Sequence, residues 1–223
     1  MKEKKILTPD QLSKRLRNAK AAKDALQVLK QAYDVYDSLV SNNVSKYEIQ
    51  LACIPGCSFC CYLRVGARAH EVLLISEHIK LKWSEAGRKA LISELGDHTN
   101  IVRKMTKADR YTTNIKCPLL QGTQCMVYPI RPLGCRLDHS QDVEACKFSY
   151  EHPENMQFRG NPNPNLLKVI YKYMGIVRAI YKDCGHDDYE YELGMALHAA
   201  LTSSKCLRRW QKHKKAFFNI EQE

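Results

Sequence analysis

The sequence predicts a mainly α-helical single domain over residues 1–223, with a loop-rich lobe of clustered cysteines and a few short strands. Two segments, residues 8–43 and residues 160–223, repeat apolar side chains at spacings of three and four, which is the period of an amphipathic helix. Residues 50–150 lie between them and hold most of the cysteines among proline and glycine. With 223 residues and 44% hydrophobic content, the chain can bury one core.

The N-terminal segment, residues 8–43, is predicted to be one amphipathic helix. Thr8 suits the N-cap and Pro9 the first turn, while Asn42 and Asn43 suit the C-terminal stop. The apolar stripe indicates packing against the core, although sustained spacing of this kind also fits a partner helix.

The middle of the chain predicts short elements around the cysteines. Residues 62–66 predict a short strand, and residues 69 to about 82 predict a helix. Ser84 is predicted to cap a further helix that runs to about Ala108 and is broken or bent at Gly96. Residues 121–123 predict a turn between short extended pieces.

The C-terminal region, residues 160–223, predicts three helices after a loop. The loop is GNPNPN, residues 160–165, and the first helix covers residues 164–182. Asp188 is predicted to cap a helix over 189–202, and Ser204 one that extends to about Phe218.

Charge and hydropathy restrict the partners and the compartment. The chain carries 35 Lys+Arg against 24 Asp+Glu, a net charge of +11, which favours contact with nucleic acid, anionic lipid or an acidic protein. The start, MKEKKILTPDQL, lacks the apolar region of a secretory signal, and apolar runs such as residues 72–75 are too short for a transmembrane segment. A cytoplasmic location is expected, where thiols stay reduced.

Cysteine clustering is the main chemical signal. Eight of the ten cysteines form two groups, and thiolates grouped in this way are ligands for zinc or for an iron–sulfur cluster. The predicted metal ligands are Cys53, Cys57, Cys60, Cys61, Cys117, Cys125, Cys135 and Cys146. Cys184 and Cys206 stand alone in helical segments and are predicted to be small buried apolar residues.

Two other interpretations compete with metal binding. Structural disulfides need an oxidising compartment, which the sequence does not indicate. A nucleophilic cysteine paired with His70 or His139 has no local signature. Spacing alone does not separate zinc from a [4Fe-4S] cluster, and eight thiolates could serve one site or two.

The cysteine motifs resemble the YkgJ-like CxxCxxCC family. The residues that carry the resemblance, all within about 50–150, are CIPGCSFCC at 53–61, CPLL at 117–120, CMVY at 125–128, and RPLGCR at 131–136. The resemblance implies a zinc- or iron-chelating domain. It also implies a distant similarity to the flagellin lysine N-methylases, which use S-adenosylmethionine and a four-iron cluster. This chain departs from the family pattern by placing three residues between Cys53 and Cys57.

Two arginines lie within the second cysteine group, beside Cys135. Arg131 and Arg136 are candidate cofactor-binding residues, since they could neutralise a thiolate-rich site or capture an anionic substrate. A structural salt bridge to Glu71 or Asp138 is the alternative.

The predicted function is metal binding through thiolates, in a structural or redox role. One alternative is an iron–sulfur-dependent enzyme that modifies a protein, such as a lysine N-methylase. The other is a basic nucleic-acid-binding module based on KCLRRWQKHKK, residues 205–215, which could equally be a terminal helix with Trp210 packed inward.

Overall fold

The computed structural model describes residues 7–54, 56–137, 139–155 and 160–220, and helices dominate it. The helices are α1 (Pro9–Arg17), α2 (Ala22–Lys46), α3 (Ala69–Lys82), α4 (Glu85–Lys104), α5 (Lys107–Thr112), α6 (Val143–Glu151), α7 (Pro164–Asp183), α8 (Leu193–Thr202) and α9 (Lys205–Gln211). The strands are β1 (Gly66–Arg68), β2 (Leu120–Gln121), β3 (Gln124–Cys125) and β4 (Glu190–Glu192). The predicted mainly α architecture is confirmed.

Helix α3 lies at the centre of the fold and is buried on nearly every side. It contacts α2, α8 and α9, and its residues from Ala69 to Ser76 are all buried. Helix α7 packs against α1 and α2 on one side of the core, and α4 packs against α8 on the other. Residues 69–82 were predicted as a helix, and α3 has the same limits.

The N-terminal segment forms two helices, so the prediction of a single helix over 8–43 is wrong. Thr8 caps α1 in a capping box with Gln11, as its sequence position suggests. Helix α1 ends at Arg17, and α2 starts after Ala21, whose backbone N–H donates to Asp24 Oδ2 at 3.3 Å. The break allows both helices to pack against α7.

Helix α4 is shorter than predicted. Ser84 caps it through a 3.1 Å hydrogen bond from the Gly87 N–H, and Gly96 lies within the continuous helix. The helix ends at Lys104 because Thr106 starts α5 with its own capping box to Asp109. The predicted extension to Ala108 is therefore replaced by a second short helix.

The region after α7 contains a strand that the sequence did not predict. Residues 190–192 form β4, which pairs antiparallel with β1 so that Arg68 lies opposite Glu190. Helix α8 then starts at Leu193, and the Glu192 carboxylate caps it by accepting from the Gly194 and Met195 N–H groups at 3.1 and 2.6 Å. The prediction that Asp188 caps a helix from 189 is wrong.

The last helix is also shorter than predicted. Helix α9 ends at Gln211, and His213 has a left-handed φ of 54°. The following chain returns to the core, where Phe217 is buried against Tyr191. Among the described helices, none is both long enough and apolar enough to cross a membrane.

Candidate metal centre

Four of the eight clustered cysteines line one cleft of about 560 Å³. Cys53 lies in the loop after α2, Cys57 precedes the 3₁₀ turn Phe59–Tyr62, Cys60 lies in that turn, and Cys146 lies on α6. These four residues are called the cleft quartet below. They come from two distant parts of the chain, and four thiolates are a donor set that zinc and iron–sulfur clusters use.

The chain turns just before Cys57. The Cys57 N–H donates to the Ile54 carbonyl at 3.1 Å, and Gly56 has a φ of +91° that a residue with a Cβ rarely adopts. The longer gap between Cys53 and Cys57 is thus accommodated within a turn.

Aromatic contacts hold α6 against the 3₁₀ turn. The Tyr150 ring lies 5.7 Å from the Phe59 ring and 5.0 Å from the Tyr62 ring. Cys146 and Tyr150 are one helical turn apart, so they occupy the same face of α6. The aromatic contacts therefore bring Cys146 to the turn that carries Cys60.

Ser140 connects the loops around the cleft. Its carbonyl accepts from the Ala52 N–H at 2.8 Å and from the Cys53 thiol at 4.0 Å. Its hydroxyl accepts from the N–H groups of Asn161 and Asp142 at 3.0 and 3.1 Å. The sequence interpretation missed Ser140, although a serine just before the Asp142 helix cap is a typical turn signal.

The other thiols of the quartet influence the thiol of Cys146. Burial raises the pKa of the Cys146 thiol, and the neighbouring thiols of Cys53, Cys57 and Cys60 raise it further. A hydrogen bond with Ser140 opposes this rise. Mutual repulsion between thiolates is the electrostatic condition that a bound cation would relieve.

The second cysteine group is divided between the core and the edge of the cleft. The Cys117 N–H donates to the Cys61 carbonyl at 2.8 Å, and burial raises the pKa of the Cys117 thiol to about 12. Burial also raises the pKa of the Cys125 thiol. The charge of Arg131 lowers this pKa, and the nearby Cys60 thiol raises it. Cys60 therefore lies within electrostatic range of both Cys125 and Cys146.

Cys61 and Cys135 are partly buried and are absent from the described lining of the cleft. Cys135 lies in the 3₁₀ turn Gly134–Arg136. In the part of the chain that the structure describes, no three side chains of His, Cys, Asp or Glu are arranged closely enough to hold a metal ion.

Arg136 is buried in structural contacts. Its Nη1 pairs with Asp37 Oδ1 at 2.5 Å, its Nε donates to the Arg131 carbonyl at 3.0 Å, and its Nη2 donates to the Pro129 carbonyl at 2.8 Å. The guanidinium also lies over the Tyr33 ring at 4.4 Å. The acidic partner is thus Asp37 and not Glu71.

Arg131 lies closer to the thiols. Its guanidinium lies 3.8 Å from the centre of the Tyr128 ring. Burial raises the pKa of Cys125 and lowers the pKa of His139. The positive charge of Arg131 lowers both pKa values. Asp138, the other predicted acidic partner of the arginines, lies outside the described residues.

Glu71 was considered only as an arginine partner, and the structure gives it a larger role. Its carboxylate accepts from the Leu133 N–H at 2.7 Å, the Arg68 N–H at 2.9 Å and the Tyr33 hydroxyl at 3.2 Å. Burial raises the pKa of Glu71. These bonds fix the RPLGC segment to the start of α3, and the signal in the sequence was a glutamate in a first helical turn.

The remaining predicted features are packed into the fold. Cys206 is buried and its thiol donates to the Ala199 carbonyl at 3.5 Å, while Cys184 is partly buried against the core. Trp210 is fully buried, and the Arg209 guanidinium lies 3.7 Å from the Phe218 ring. The basic segment thus corresponds to a terminal helix with its apolar side packed inward.

Comparison with known proteins identifies the cysteine region. Residues 52–157 match the family model "CxxCxxCC: Putative zinc- or iron-chelating domain", which confirms the predicted resemblance and supports metal binding by this region. The matched range includes all eight clustered cysteines. No curated protein and no solved structure matches the chain. The similarity to lysine N-methylases stays a prediction.

Proposed function

Because residues 52–157 match a metal-chelating domain, we propose that this chain binds a zinc or iron centre through Cys53, Cys57, Cys60 and Cys146. The observation that supports the proposal is that these four thiols line one cleft although they come from two distant parts of the chain, residues 53–60 and helix α6. Binding a metal would draw the thiols closer together than they lie in this structure. The thiols of Cys117 and Cys125 lie against the core, where they support the same lobe.

The proposed role of the centre is structural, with a redox role if the centre is an iron–sulfur cluster. A metal bound by the quartet would join the loop after α2, the 3₁₀ turn and α6 into one unit. Since ordered ligands are lacking in an unfolded chain, the free energy of metal binding would add to the stability of this lobe.

The metal can be identified by purifying the full chain without oxygen. We expect stoichiometric zinc in a colourless sample, or iron with inorganic sulfide in a brown sample that absorbs visible light. Copurification of neither metal, together with no uptake of zinc or iron on reconstitution, would overturn the proposed function.

The ligand set can be tested by changing each quartet cysteine to serine in turn. Each variant should lose most of its bound metal, since serine replaces a soft thiolate by a neutral hydroxyl. Cys184→Ser is the matched control, because Cys184 is also partly buried but lies outside the cleft. Retention of full metal content by the four variants would refute this ligand set.

A further inference from the structure

A second cavity of about 390 Å³ lies beside the thiol cleft, at the junction of β1, α3 and α7. Its lining includes Arg68, His70 and Arg178, which play no part in the proposed metal site. The cavity and the cleft share the lining residues Gly66, Gly134, Leu137, Tyr171 and Glu190. The two spaces are therefore neighbours.

Two glycines lie at this shared boundary. A Cβ on Gly134 would approach the Gly66 carbonyl oxygen to 3.1 Å, and a Cβ on Gly66 would lie 2.0 Å from Glu190 Oε1. Side chains at these positions would have to displace their neighbours. Because glycine has no side chain, β1 can approach the RPLGC segment closely at the boundary between the cavity and the thiol cleft.

His70 is a buried polar group that lines the second cavity. Its side chain is fully buried and stacks on the Tyr181 ring with the centroids 3.9 Å apart. Among the described residues, neither ring nitrogen of His70 has a hydrogen-bond partner. Such a group is costly to bury, so a water molecule or ligand is expected to satisfy it.

Burial lowers the pKa of His70 well below its ordinary value, and the charges of Arg68 and His186 lower it further. The ring is therefore neutral at pH 7, with one nitrogen as donor and the other as acceptor. A ligand with an oxygen acceptor can accept from the donor nitrogen.

Asp188 brings two arginines to the cavity. Arg68 Nη1 donates to the Asp188 carbonyl, and Arg178 Nε and Nη2 contact Asp188 Oδ2 at 3.3 Å. Two carboxylates also line the cavity: Glu190, whose Oε2 lies a long 3.5 Å from Arg68 Nη2, and Glu71, which accepts from the Arg68 N–H at 2.9 Å. Arg178 is half exposed, which leaves its guanidinium accessible to a ligand from solvent.

We propose that this cavity binds a small molecule with a carboxylate or phosphate group, held by Arg68 and Arg178 and hydrogen-bonded to His70. Guanidinium groups recognise both anions with paired N–H donors, so the two share one chemistry. The ligand would lie next to the thiol cleft. This site goes beyond the proposed metal function and does not depend on it.

The test is calorimetric titration of the full chain with inorganic phosphate and, separately, with acetate at constant ionic strength. We expect saturable binding of at least one anion, and the anion that binds identifies the ligand class. The variant R178Q should weaken binding about tenfold or more, because it removes a charged hydrogen-bond donor.

The variant R103Q is the control, since it removes the same charge from an exposed position at the end of α4. His70→Leu should also weaken anion binding. If the His70→Leu protein fails to fold, the result for R178Q decides whether the proposed site exists. Absence of saturable binding by both anions would overturn the site. Equal weakening in R178Q and R103Q would also overturn it, because only general surface charge would then be involved.

Discussion

The neighbouring residues Cys60 and Cys61 take different positions in the fold. Successive residues of a 3₁₀ turn are rotated by roughly 120°, so their side chains leave the backbone in different directions. Cys60 lines the cleft, whereas Cys61 is outside its described lining and accepts the Cys117 N–H through its carbonyl. We therefore interpret Cys60 as a metal ligand and Cys61 as a packing residue that anchors the second cysteine group.

Separate substitution of Cys60 and Cys61 by serine should have unequal effects. Cys60→Ser is expected to lose most of the bound metal, because it removes one of four thiolates. Cys61→Ser should retain it, since the backbone hydrogen bond to Cys117 does not require the thiol. Metal content per chain after purification is the measurement, and equal loss in both variants would contradict the assignment.

The elements that form the cleft are short, and helix α6 is the decisive one. It has nine residues, starts at the Asp142 cap and carries both Cys146 and Tyr150. The Asn114 side chain also donates to the Tyr150 carbonyl at 2.5 Å. The position of Cys146 thus depends on how firmly α6 packs against the 3₁₀ turn.

Tyr150→Ala should loosen this packing. Two aromatic contacts would be lost, which is expected to cost about 1–3 kcal/mol in the free energy of unfolding. Metal transfer to a competing chelator should also become faster. Urea unfolding and chelator competition are the measurements, with Tyr47→Ala as an exposed control. Unchanged metal transfer in Tyr150→Ala would show that α6 is held by other contacts.

At the scale of the whole molecule, the cysteine lobe is fixed to the helical body. Arg136 pairs with Asp37 on α2, the Tyr36 hydroxyl donates to the Arg136 carbonyl, and Glu71 on α3 accepts the Leu133 N–H. These bonds join residues about 60 to 100 positions apart in the sequence. The lobe and the body are therefore expected to unfold together.

The stability of the whole fold should fall in mild acid. Burial lowers the pKa of His186 to about 4, and it lowers that of His70 well below 6.5. Between pH 6.5 and pH 4 the unfolded chain binds protons that the folded chain does not, so stability is present above pH 6.5 and decreases as the pH falls.

His186→Phe tests this contribution, because Phe can keep the stacking on Trp210 at 4.3 Å but does not titrate. On going from pH 7 to pH 5, the melting temperature of both proteins should fall, and the fall should be smaller in the variant. The expected difference between the two falls is about 2–4 °C, which is what roughly 1 kcal/mol produces in a chain of this size. Thermal melts at both pH values are the measurement. An identical fall in both proteins would refute the prediction, and His152→Asn on the surface is the control.

Local signals in the sequence determined several elements closely. Helix α3 has the predicted limits, α7 runs from Pro164 to Asp183 against a predicted 164–182, and Ser84 caps α4. The cysteine motifs also predicted the family resemblance, which the match of the family model to residues 52–157 confirms. These features depend on caps, helical period and residue spacing, all of which act over a few residues.

Only the tertiary structure decided which distant segments meet. The pairing of β1 with β4, the break between α1 and α2, and the packing of α6 on the 3₁₀ turn all depend on contacts across the fold. The same contacts divide the eight clustered thiols into a quartet on the cleft and others that lie outside its described lining. The sequence presents these thiols as equivalent because spacing along the chain carries no information about burial, whereas the fold sets burial and thus separates their chemistry.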